Sequence, residues 1–315
     1  MKKKNLLITC AGGSGPIYLA KNLSSRFGIF LVDATDQNAG AKFGFPFKIV
    51  PFGNQPSYQG IIKSLIKKWK LDVAVPGAEE ELIPFQKIGS ESGRLMVVMP
   101  NNPGFVELCL NKSRLMEILD DTGISSLLPY KNKKDVRYPA FAKPNNGRGS
   151  RETHVIRNLK ELNGYLDLYS RKFSQVLFQE YIKGTEYTVS VIVNNLNKII
   201  GIVPKKIINK RGITRAAVSV RSPMIDQVCK KIVKELEPCG PFNVQLKIFN
   251  NKIHIFEINP RLSTTSVLTD KAFGNEIDLF VKYYDKQEIK NPPALKENIY
   301  LYRYEENLFT SGKKI

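Results

Sequence analysis

The sequence predicts an α/β unit followed by an α+β region. Strands and helices alternate over residues 1–110, whereas short strands separated by Gly and Asn turns prevail further along the chain. With 315 residues, of which 42% are hydrophobic, the chain can bury two or three cores. We therefore expect an α/β domain at 1–110, a linker helix and small lobe at 111–190, and a C-terminal lobe at 191–315.

The N-terminal domain begins with an apolar strand, Lys4–Cys10, that leads into a glycine loop and a helix. A second strand follows at Ile29–Val32, and the alternation continues with a helix at Ile61–Trp69 and strands at 72–75 and 96–99. This order is typical of a doubly wound parallel sheet, in which ligands bind at the carboxyl ends of the strands.

The glycine loop at 12–15 has two interpretations. Its backbone N–H groups suit an anion at a helix N-terminus. It lacks the Lys-Ser/Thr pair of a P-loop, however, and Tyr18 stands where a dinucleotide-binding loop has its third glycine. The loop is either a tight turn or, through Gly13, Ser14 and Gly15, part of a substrate site.

Residues 242–261 contain the most informative pattern, two alternating segments separated by an Asn-Asn turn. A three-residue loop at 250–252 fixes the register of this hairpin. That register predicts three cross-strand pairs: Phe249 with Ile253, Gln245 with Glu257, and Asn243 with Asn259. A two-residue loop would shift the pairing by one residue and separate Gln245 from Glu257.

Strand periodicity divides the hairpin into two faces. The predicted core face comprises Val244, Leu246, Ile248, Phe256 and Ile258, and the polar face comprises Asn243, Gln245, Lys247, Glu257 and Asn259. Oxygen ligands from Gln245, Glu257 and Asn259 suit a hard cation such as Mg²⁺. The alternative is a solvated face, but Glu257 lies in an apolar strand, where a bound cation or Arg261 would offset its charge.

A second motif combines a lysine at a strand end with a basic glycine loop. Lys143 ends the apolar strand 138–143, and the loop 145–151 follows directly. Its candidate phosphate ligands are the backbone at Gly147 and Gly149 and the side chains of Arg148, Arg151 and Lys143. The alternative is an ordinary hairpin turn.

Residues 178–189 join two predicted strands through a Lys-Gly turn. The exposed backbone at Tyr181 and Ile182 can hydrogen-bond an adenine edge, and Glu186 can accept both ribose hydroxyls. A surface turn with a solvated Glu186 is the alternative.

The sequence indicates the residues that would bind the substrate less clearly. A basic stretch after Pro204 is predicted to line the cleft opposite the phosphates and to bind an anionic substrate, with a solvated loop as the alternative; its residues are Lys205, Lys206, Lys210, Arg211 and Arg215. The acidic run 79–81 suits either an amine or a helix N-terminus.

Composition excludes several classes of protein. The net charge is +19, but the basic residues are spread along the chain without Arg-rich tracts, so nucleic-acid binding is not expected; a nucleoside triphosphate would use the positive charge equally well. The 4 cysteines lack metal-binding spacing, which indicates reduced thiols in a cytoplasmic protein. The apolar run 6–8 is too short for a signal peptide or a membrane span.

Six motifs follow one another in a fixed order: Asn111-Lys112, Ala142-Lys143-Pro144, Gly147-Arg-Gly-Ser150, Gln179-Glu-Tyr-Ile-x-Gly-x-Glu186, Asn243-Val-Gln245 and Glu257-Ile-Asn-Pro-Arg261. Together they resemble the ATP-grasp superfamily over roughly residues 110–285, and in particular its carbamoyl-phosphate-synthase-like and carboxylate-amine ligase branch. The resemblance implies a Rossmann-like pre-ATP-grasp domain followed by a two-lobed ATP-grasp fold. It also implies ATP and Mg²⁺, or Mn²⁺, as cofactors.

The resemblance assigns roles to individual residues. It implies phosphate contacts from Lys112, Lys143 and the loop Gly147, Arg148, Gly149 and Ser150; adenine contacts from Glu180, Tyr181 and Ile182; a ribose contact from Glu186; metal ligands Gln245, Glu257 and Asn259; and catalytic roles for Arg261 and Lys143. Gln245 stands where many relatives have a carboxylate, so the number of metal ions stays open.

The implied reaction is attack of a small-molecule carboxylate on the γ-phosphate of ATP, followed by transfer of the acyl group to an amine or similar nucleophile. A small-molecule kinase and a non-catalytic nucleotide-binding module remain as alternatives. The expected partners are ATP, the carboxylate and the nucleophile, with no membrane; a homodimer is left open.

Overall fold

The computed structural model describes residues 3–145, 152–287 and 293–310. Within these ranges no helix is both long and apolar enough to cross a lipid bilayer. The described residues form three sheets, one parallel and two antiparallel, which confirms the predicted combination of α/β and α+β architecture.

The N-terminal sheet is parallel and follows the order β3-β2-β1-β4-β5. Its strands are β1 (Asn5–Ile8), β2 (Gly28–Asp33), β3 (Phe47–Ile49), β4 (Val73–Val75) and β5 (Met96–Val97), and the helices of this region are α1 (Ser14–Leu23), α2 (Tyr58–Trp69), α3 (Glu79–Ser92) and α4 (Pro103–Leu110). Two apolar clusters involve the sheet: one contains Leu6 and Ile8, and the other contains Leu7. This division follows from the alternation of side chains along β1.

The small lobe is an antiparallel sheet in the order β7-β6-β8 with one helix. Its elements are β6 (Ala140–Pro144), β7 (His154–Ile156), α6 (Leu159–Leu168) and β8 (Val176–Glu180), and α5 (Lys112–Asp121) precedes them. The Asn111 side chain accepts a hydrogen bond from the Arg114 N–H at 3.2 Å and caps α5. This cap makes Lys112 the first helical residue.

The C-terminal lobe is built on a six-stranded sheet in the order β13-β12-β9-β10-β11-β14. Its elements are β9 (Thr185–Val193), β10 (Ile199–Arg211), β11 (Ile213–Ser219), α7 (Pro223–Leu236), β12 (Phe242–Phe249), β13 (Lys252–Asn259), α8 (Ser266–Ala272), α9 (Glu276–Tyr284) and β14 (Tyr300–Tyr302). Helices α4, α5 and α7 contribute to its core. Helix α9 packs through Ile277, Phe280 and Val281 into the core of the N-terminal domain.

The basic stretch after Pro204 is not the solvated loop of the alternative. It lies mainly in the second half of β10, which pairs with β9 on one side and β11 on the other. Lys205 is fully buried, and its Nζ donates to Ser190 Oγ at 2.7 Å and Thr269 Oγ1 at 2.8 Å. Because both hydroxyl partners are themselves buried, the lysine is held in the core.

The hairpin turn also differs from the prediction. Asn250 and Asn251 both adopt left-handed backbone angles, with φ of 48° and 56°, and Phe249 pairs directly with Lys252. The loop therefore has two residues, as Asn-Asn in a type I′ turn allows. The predicted pairing of Phe249 with Ile253 is wrong.

A β-bulge compensates for the shorter loop. Leu246 pairs with Ile255, but the next residue, Gln245, pairs with Glu257, so that Phe256 is the extra residue. The predicted Gln245–Glu257 pair and the Asn243–Asn259 pair beyond it are confirmed. The bulge takes Phe256 off the predicted core face, which is a correction, and places it against the cleft.

Candidate active site

A cleft lies between the three-stranded and six-stranded sheets. Residues 181–184 link the two sheets by joining β8 to β9. A side chain at Gly184 would place its Cβ 2.6 Å from the Ile248 carbonyl oxygen, so only glycine allows the turn to approach β12 this closely. The lysine–glycine turn thus fixes how one wall of the cleft meets the other.

We call one part of the cleft the hairpin end; it consists of Lys112, Lys143, Gln245, Glu257 and Asn259. Lys143 Nζ donates to the Phe256 carbonyl oxygen at 2.6 Å, and the exposed carbonyl belongs to the bulged residue. Burial lowers the pKa of Lys143 to about 8, although Glu257 opposes the shift. Lys112 Nζ lies 3.5 Å from Glu257 Oε1.

Glu257 therefore has a different charged partner from the one expected. Lys112, rather than Arg261, forms its ion pair, and Lys112 is itself 5% exposed. Arg261 instead lies 3.8 Å from Glu79, measured between Nη2 and Oε1. The hairpin end thus combines two buried lysines with one carboxylate, a set that suits a polyanion.

The oxygen donors of the hairpin end fit a divalent cation bound together with phosphates. Gln245 faces Glu257 across the strands, and Asn259 faces Asn243, whose Oδ1 accepts a hydrogen bond from Thr188 Oγ1 at 2.6 Å. Within the described residues no cluster of three or more Asp, Glu, His or Cys side chains could hold a metal alone. One carboxylate and two amides leave Mg²⁺ dependent on substrate oxygens.

The linker end of the cleft consists of residues 180–182, Glu186, Lys210 and Lys247. Ile182 is buried, and its carbonyl oxygen accepts a hydrogen bond from Lys247 Nζ at 2.8 Å. Glu186 Oε1 lies 2.7 Å from Lys210 Nζ. The structure places Glu180, Tyr181, Ile182 and Glu186 together along this part of the cleft, as expected for one binding surface.

We call a third part of the cleft the loop end; it consists of Glu79, Arg261, Ser263 and Thr264. Glu79 is the first residue of α3, where a carboxylate is favoured by the helix dipole. Arg261 follows β13, and its Nη1 donates to the Leu262 carbonyl oxygen at 3.2 Å. Nε of Arg261 is buried and has no hydrogen-bond partner among the described residues.

Several predicted substrate residues lie elsewhere. Gly13, Ser14 and Gly15 are not among the residues that line the cleft, although Gly15 lies against Thr264 at its loop end. Lys205 is in the core, and Arg215 pairs with Glu305 at 2.8 Å. The predicted phosphate loop, comprising Gly147, Arg148, Gly149, Ser150 and Arg151, lies outside the described residues.

The N-terminal glycine loop is in contact with neighbouring residues of the same domain. The Gly12 N–H donates to Asp33 Oδ2 at 2.9 Å, and a Cβ at Gly12 would lie 3.0 Å from the Asn38 side chain. Asp33 ends β2, the position from which a dinucleotide-binding fold contacts ribose. Because the Gly12 N–H is already hydrogen-bonded to that carboxylate, the structure favours the interpretation of Gly12 as part of a tight turn.

Sequence patterns did not identify four residues near the cleft as functional: Phe256, Lys247, Thr264 and Arg303. Phe256 was concealed by the bulge, and Lys247 was assigned only to the polar face of the hairpin. Lys247 pairs across the strands with Glu186, which a β9–β12 pairing would have indicated. Arg303 directly follows β14, a strand that the sequence pattern did not predict, and contacts the cleft residue Thr264.

Comparison with known proteins agrees with the fold and the cleft described above. Residues 109–265, about half of the chain, match the family described as the ATP-grasp domain. The chain belongs to this family. Its structure superposes on N5-carboxyaminoimidazole synthetase from Staphylococcus aureus complexed with ADP with a TM-score of 0.74, covering 94% of this chain and 81% of the other at 17% identity, which shows a shared fold.

Two curated relatives are similar in sequence. The chain is 30% identical over 154 residues to the D-alanine–D-alanine ligase of Petrotoga mobilis, a match that covers 44% of this chain and 52% of that protein. It is 28% identical over 178 residues to the carbamoyl phosphate synthase large chain of Buchnera aphidicola, with 52% of this chain and 16% of the other covered. The chain thus spans about half the length of the first relative and much less of the second.

Proposed function

We propose that the protein is an ATP-dependent ligase that converts a small-molecule carboxylate into an acyl phosphate and transfers the acyl group to an amine or similar nucleophile. The observation that carries this proposal is the hairpin end of the cleft. Two buried lysines and the paired Gln245, Glu257 and Asn259 face one cavity, and Arg261 lies beside them. Phosphoryl transfer needs such positioning and charge neutralisation rather than a nucleophilic side chain.

In this proposal ATP lies along the cleft from the linker end to the loop end. The backbone of residues 180–182 binds adenine, Glu186 binds ribose, and Lys112 and Lys143 bind phosphates. Gln245, Glu257 and Asn259 would hold Mg²⁺, or Mn²⁺, which would neutralise the charge of the reacting phosphates. Lys112 now pairs with Glu257, and phosphates bound to Lys112 would leave that carboxylate available as a metal ligand.

Arg261 would act at the loop end. Its guanidinium has one distant carboxylate, Glu79 at 3.8 Å, and a buried Nε without a hydrogen-bond partner among the described residues. Such a group can bind the substrate carboxylate before transfer and the acyl phosphate after it. The ligase named among the relatives supports this direction of the chemistry. The four cysteines, all within the described ranges, are thiols rather than disulfides, which agrees with a cytoplasmic location.

Transfer of oxygen distinguishes a ligase from a kinase. Acids labelled with ¹⁸O in the carboxylate are incubated with Mg-ATP and hydroxylamine, which traps an acyl phosphate as a hydroxamate. We expect acid-dependent ADP release, one ¹⁸O in the released phosphate, and a hydroxamate. A stable phosphorylated product without ¹⁸O transfer to phosphate would support the kinase instead. ATP binding without ADP release from any acid would support the non-catalytic module.

A further inference from the structure

The acidic run at the start of α3 does not form one site. Glu81 is 5% exposed, and its carboxylate accepts hydrogen bonds from Thr9 Oγ1 and Tyr58 OH, each at 2.6 Å. It also accepts hydrogen bonds from the backbone N–H groups of Gly77 and Ala78, each at 3.0 Å. Because four donors surround this carboxylate, Glu81 holds the start of α3 in place and is not available to a ligand.

The other two carboxylates of the run line different cavities. Glu80 lines a small pocket of the N-terminal domain together with Asp33, and neither residue lines the cleft. Glu79 does line the cleft, at its loop end, and its side chain is 16% exposed. Of the three acidic residues, Glu79 is therefore the one that a substrate in the cleft can reach.

Glu79 lies beside the arginine that would bind the acyl phosphate. Its Oε1 is 3.8 Å from Arg261 Nη2, although Glu79 begins α3 and Arg261 follows β13. These are the two charged residues among the four that make up the loop end. A separation of 3.8 Å is too long for a hydrogen bond, so the two groups offset each other's charge without a direct donor–acceptor contact.

The proposed reaction would change the balance of charge at the loop end. Without substrate, Arg261 and Glu79 carry opposite charges. An acyl phosphate bound to Arg261 adds negative charge close to the carboxylate of Glu79, and like charges at short range repel. A cation next to Glu79 would remove this repulsion. A protonated amine is such a cation, and it is also the precursor of a nucleophile that a ligase can use.

We propose that Glu79 binds the nucleophile as a protonated amine, so that the acceptor substrate is a cationic amine. This inference rests on the proposed ligase function and adds the class of the acceptor to it. Glu79 accepts one proton from the ammonium group, and the nitrogen lone pair then attacks the acyl carbon. The bond between that carbon and the phosphate oxygen breaks, and phosphate leaves with the bonding electrons and with the second proton that the nitrogen loses.

Neutral and cationic nucleophiles separate this role from a structural one. Hydroxylamine is uncharged at neutral pH, whereas methylamine, glycine, putrescine and tyramine carry an ammonium group. Each is supplied with Mg-ATP and the acid that gives most hydroxamate, and the products are measured by mass spectrometry. We expect Glu79→Gln to lower kcat/KM for the best amine by at least about tenfold, as loss of a charged hydrogen bond predicts. For hydroxylamine it should change by less than about threefold.

Two further variants control for indirect effects. Glu79→Asp keeps the carboxylate and should recover part of the activity with amines. Glu80→Gln removes the adjacent charge outside the cleft lining and should leave the kinetics of both nucleophiles unchanged. Retained hydroxamate formation shows that Glu79→Gln is folded. If Glu79 only positions Arg261, Glu79→Gln would lower activity with hydroxylamine and with amines equally, and that result would overturn the inference, as would unchanged amine kinetics.

The same assays distinguish failure of this inference from failure of the ligase proposal. Hydroxamate without an amide from any of the four amines would refute the cationic acceptor and leave the ligase function standing. No product from hydroxylamine or any amine, with any acid, would refute the ligase function itself, and the acceptor site at Glu79 would fall with it.

Discussion

The hairpin end and the loop end of the cleft are built from different kinds of structure. Side chains of the hairpin end come from paired strands and a capped helix, and the one carboxylate of this set, Glu257, already forms an ion pair with Lys112. The loop end joins the first residue of α3 to the segment that follows β13. Its arginine, Arg261, has a buried Nε without a hydrogen-bond partner among the described residues.

This difference indicates how the two ends divide the proposed reaction. The hairpin end holds groups whose geometry is fixed by backbone pairing, which suits a nucleotide and metal common to a whole family. The loop end depends on contacts between distant segments, which can change without disturbing a sheet. We therefore expect substitutions at the hairpin end to affect turnover or ATP, and those at the loop end to affect the choice of acid or amine.

The largest effect is expected at Glu257. Glu257→Gln removes the one carboxylate that Lys112 contacts at the hairpin end and that would hold Mg²⁺, and we expect ADP release to fall by about 1,000-fold. ADP release and thermal melting measure activity and folding separately. Glu235→Gln, on α7 away from the cleft, is the control and should keep wild-type activity. Activity of the folded Glu257→Gln protein within about tenfold of wild type would refute the metal assignment.

Lys143 should have the next largest effect. Lys143→Met removes a cation that is 7% exposed and lies within the cleft, and we expect kcat/KM for ATP to fall by about 100-fold. The matched variant is Lys172→Met, in the same lobe but outside the cleft lining. Equal losses in both variants would indicate a general electrostatic effect instead of a phosphate contact.

The pKa of Lys143 also predicts a pH dependence. Because burial lowers this pKa to about 8, the side chain loses its charge as the pH rises through that value, and kcat/KM for ATP should decline. Unfolding would not explain the decline. A lysine pKa that is lower in the folded protein than the ordinary 10.5 makes this group's contribution to the free energy of unfolding increase between about pH 8 and 10.5. A flat profile up to about pH 9.5 would contradict the assignment.

Periodicity along the hairpin, together with an assumed loop length, predicts which of its polar residues face each other. Gln245 and Glu257, and Asn243 and Asn259, pair as expected. The reason for the pairing was nevertheless wrong, since a two-residue loop and a bulge at Phe256 together reproduce the register of a three-residue loop. The local sequence cannot distinguish a three-residue loop from a two-residue loop with a bulge, because both place the Glu257 side chain on the same face of the hairpin.

The contacts beside the loop end could not be predicted from sequence, for a different reason. The contact between Ser14 and Arg303 joins residues 289 positions apart, and neither lies in a pattern that indicates the other. Lys205 illustrates the same limit, since its burial depends on the hydroxyl groups of Ser190 and Thr269 on other elements. Only tertiary packing decides whether such a basic residue reaches solvent, a ligand or the core.

Glu186 should have a moderate effect that is confined to ATP binding. Glu186→Gln weakens a charged acceptor at the linker end, so we expect KM for ATP to rise by about tenfold with kcat nearly unchanged. Lys210→Met removes the ion-pair partner at 2.7 Å and leaves the carboxylate in place. A smaller change for Lys210→Met supports a direct ribose contact. Equal changes would mean that Glu186 matters only through its ion pair.

The smallest effect on activity is expected at the linker. Gly184→Ala would force a Cβ to within 2.6 Å of the Ile248 carbonyl oxygen, so the turn must shift, and we expect the free energy of unfolding to fall by about 1–3 kcal/mol. KM for ATP should rise only about threefold, because one weakened backbone hydrogen bond to adenine is worth about 0.5–1.5 kcal/mol.

A second glycine provides the matched control. Gly60 lies inside α2, and a Cβ added there would have no atom of the described structure within 4 Å beyond its own helix backbone and chain neighbours, so Gly60→Ala should stabilise the protein by about 0.5–1 kcal/mol. Denaturant unfolding of both variants gives the two signs, and ATP kinetics shows whether only the Gly184 variant changes KM. If Gly184→Ala leaves both stability and KM unaltered, the linker can move relative to β12. The ATP-binding wall would then be adaptable rather than fixed by the close approach at Gly184.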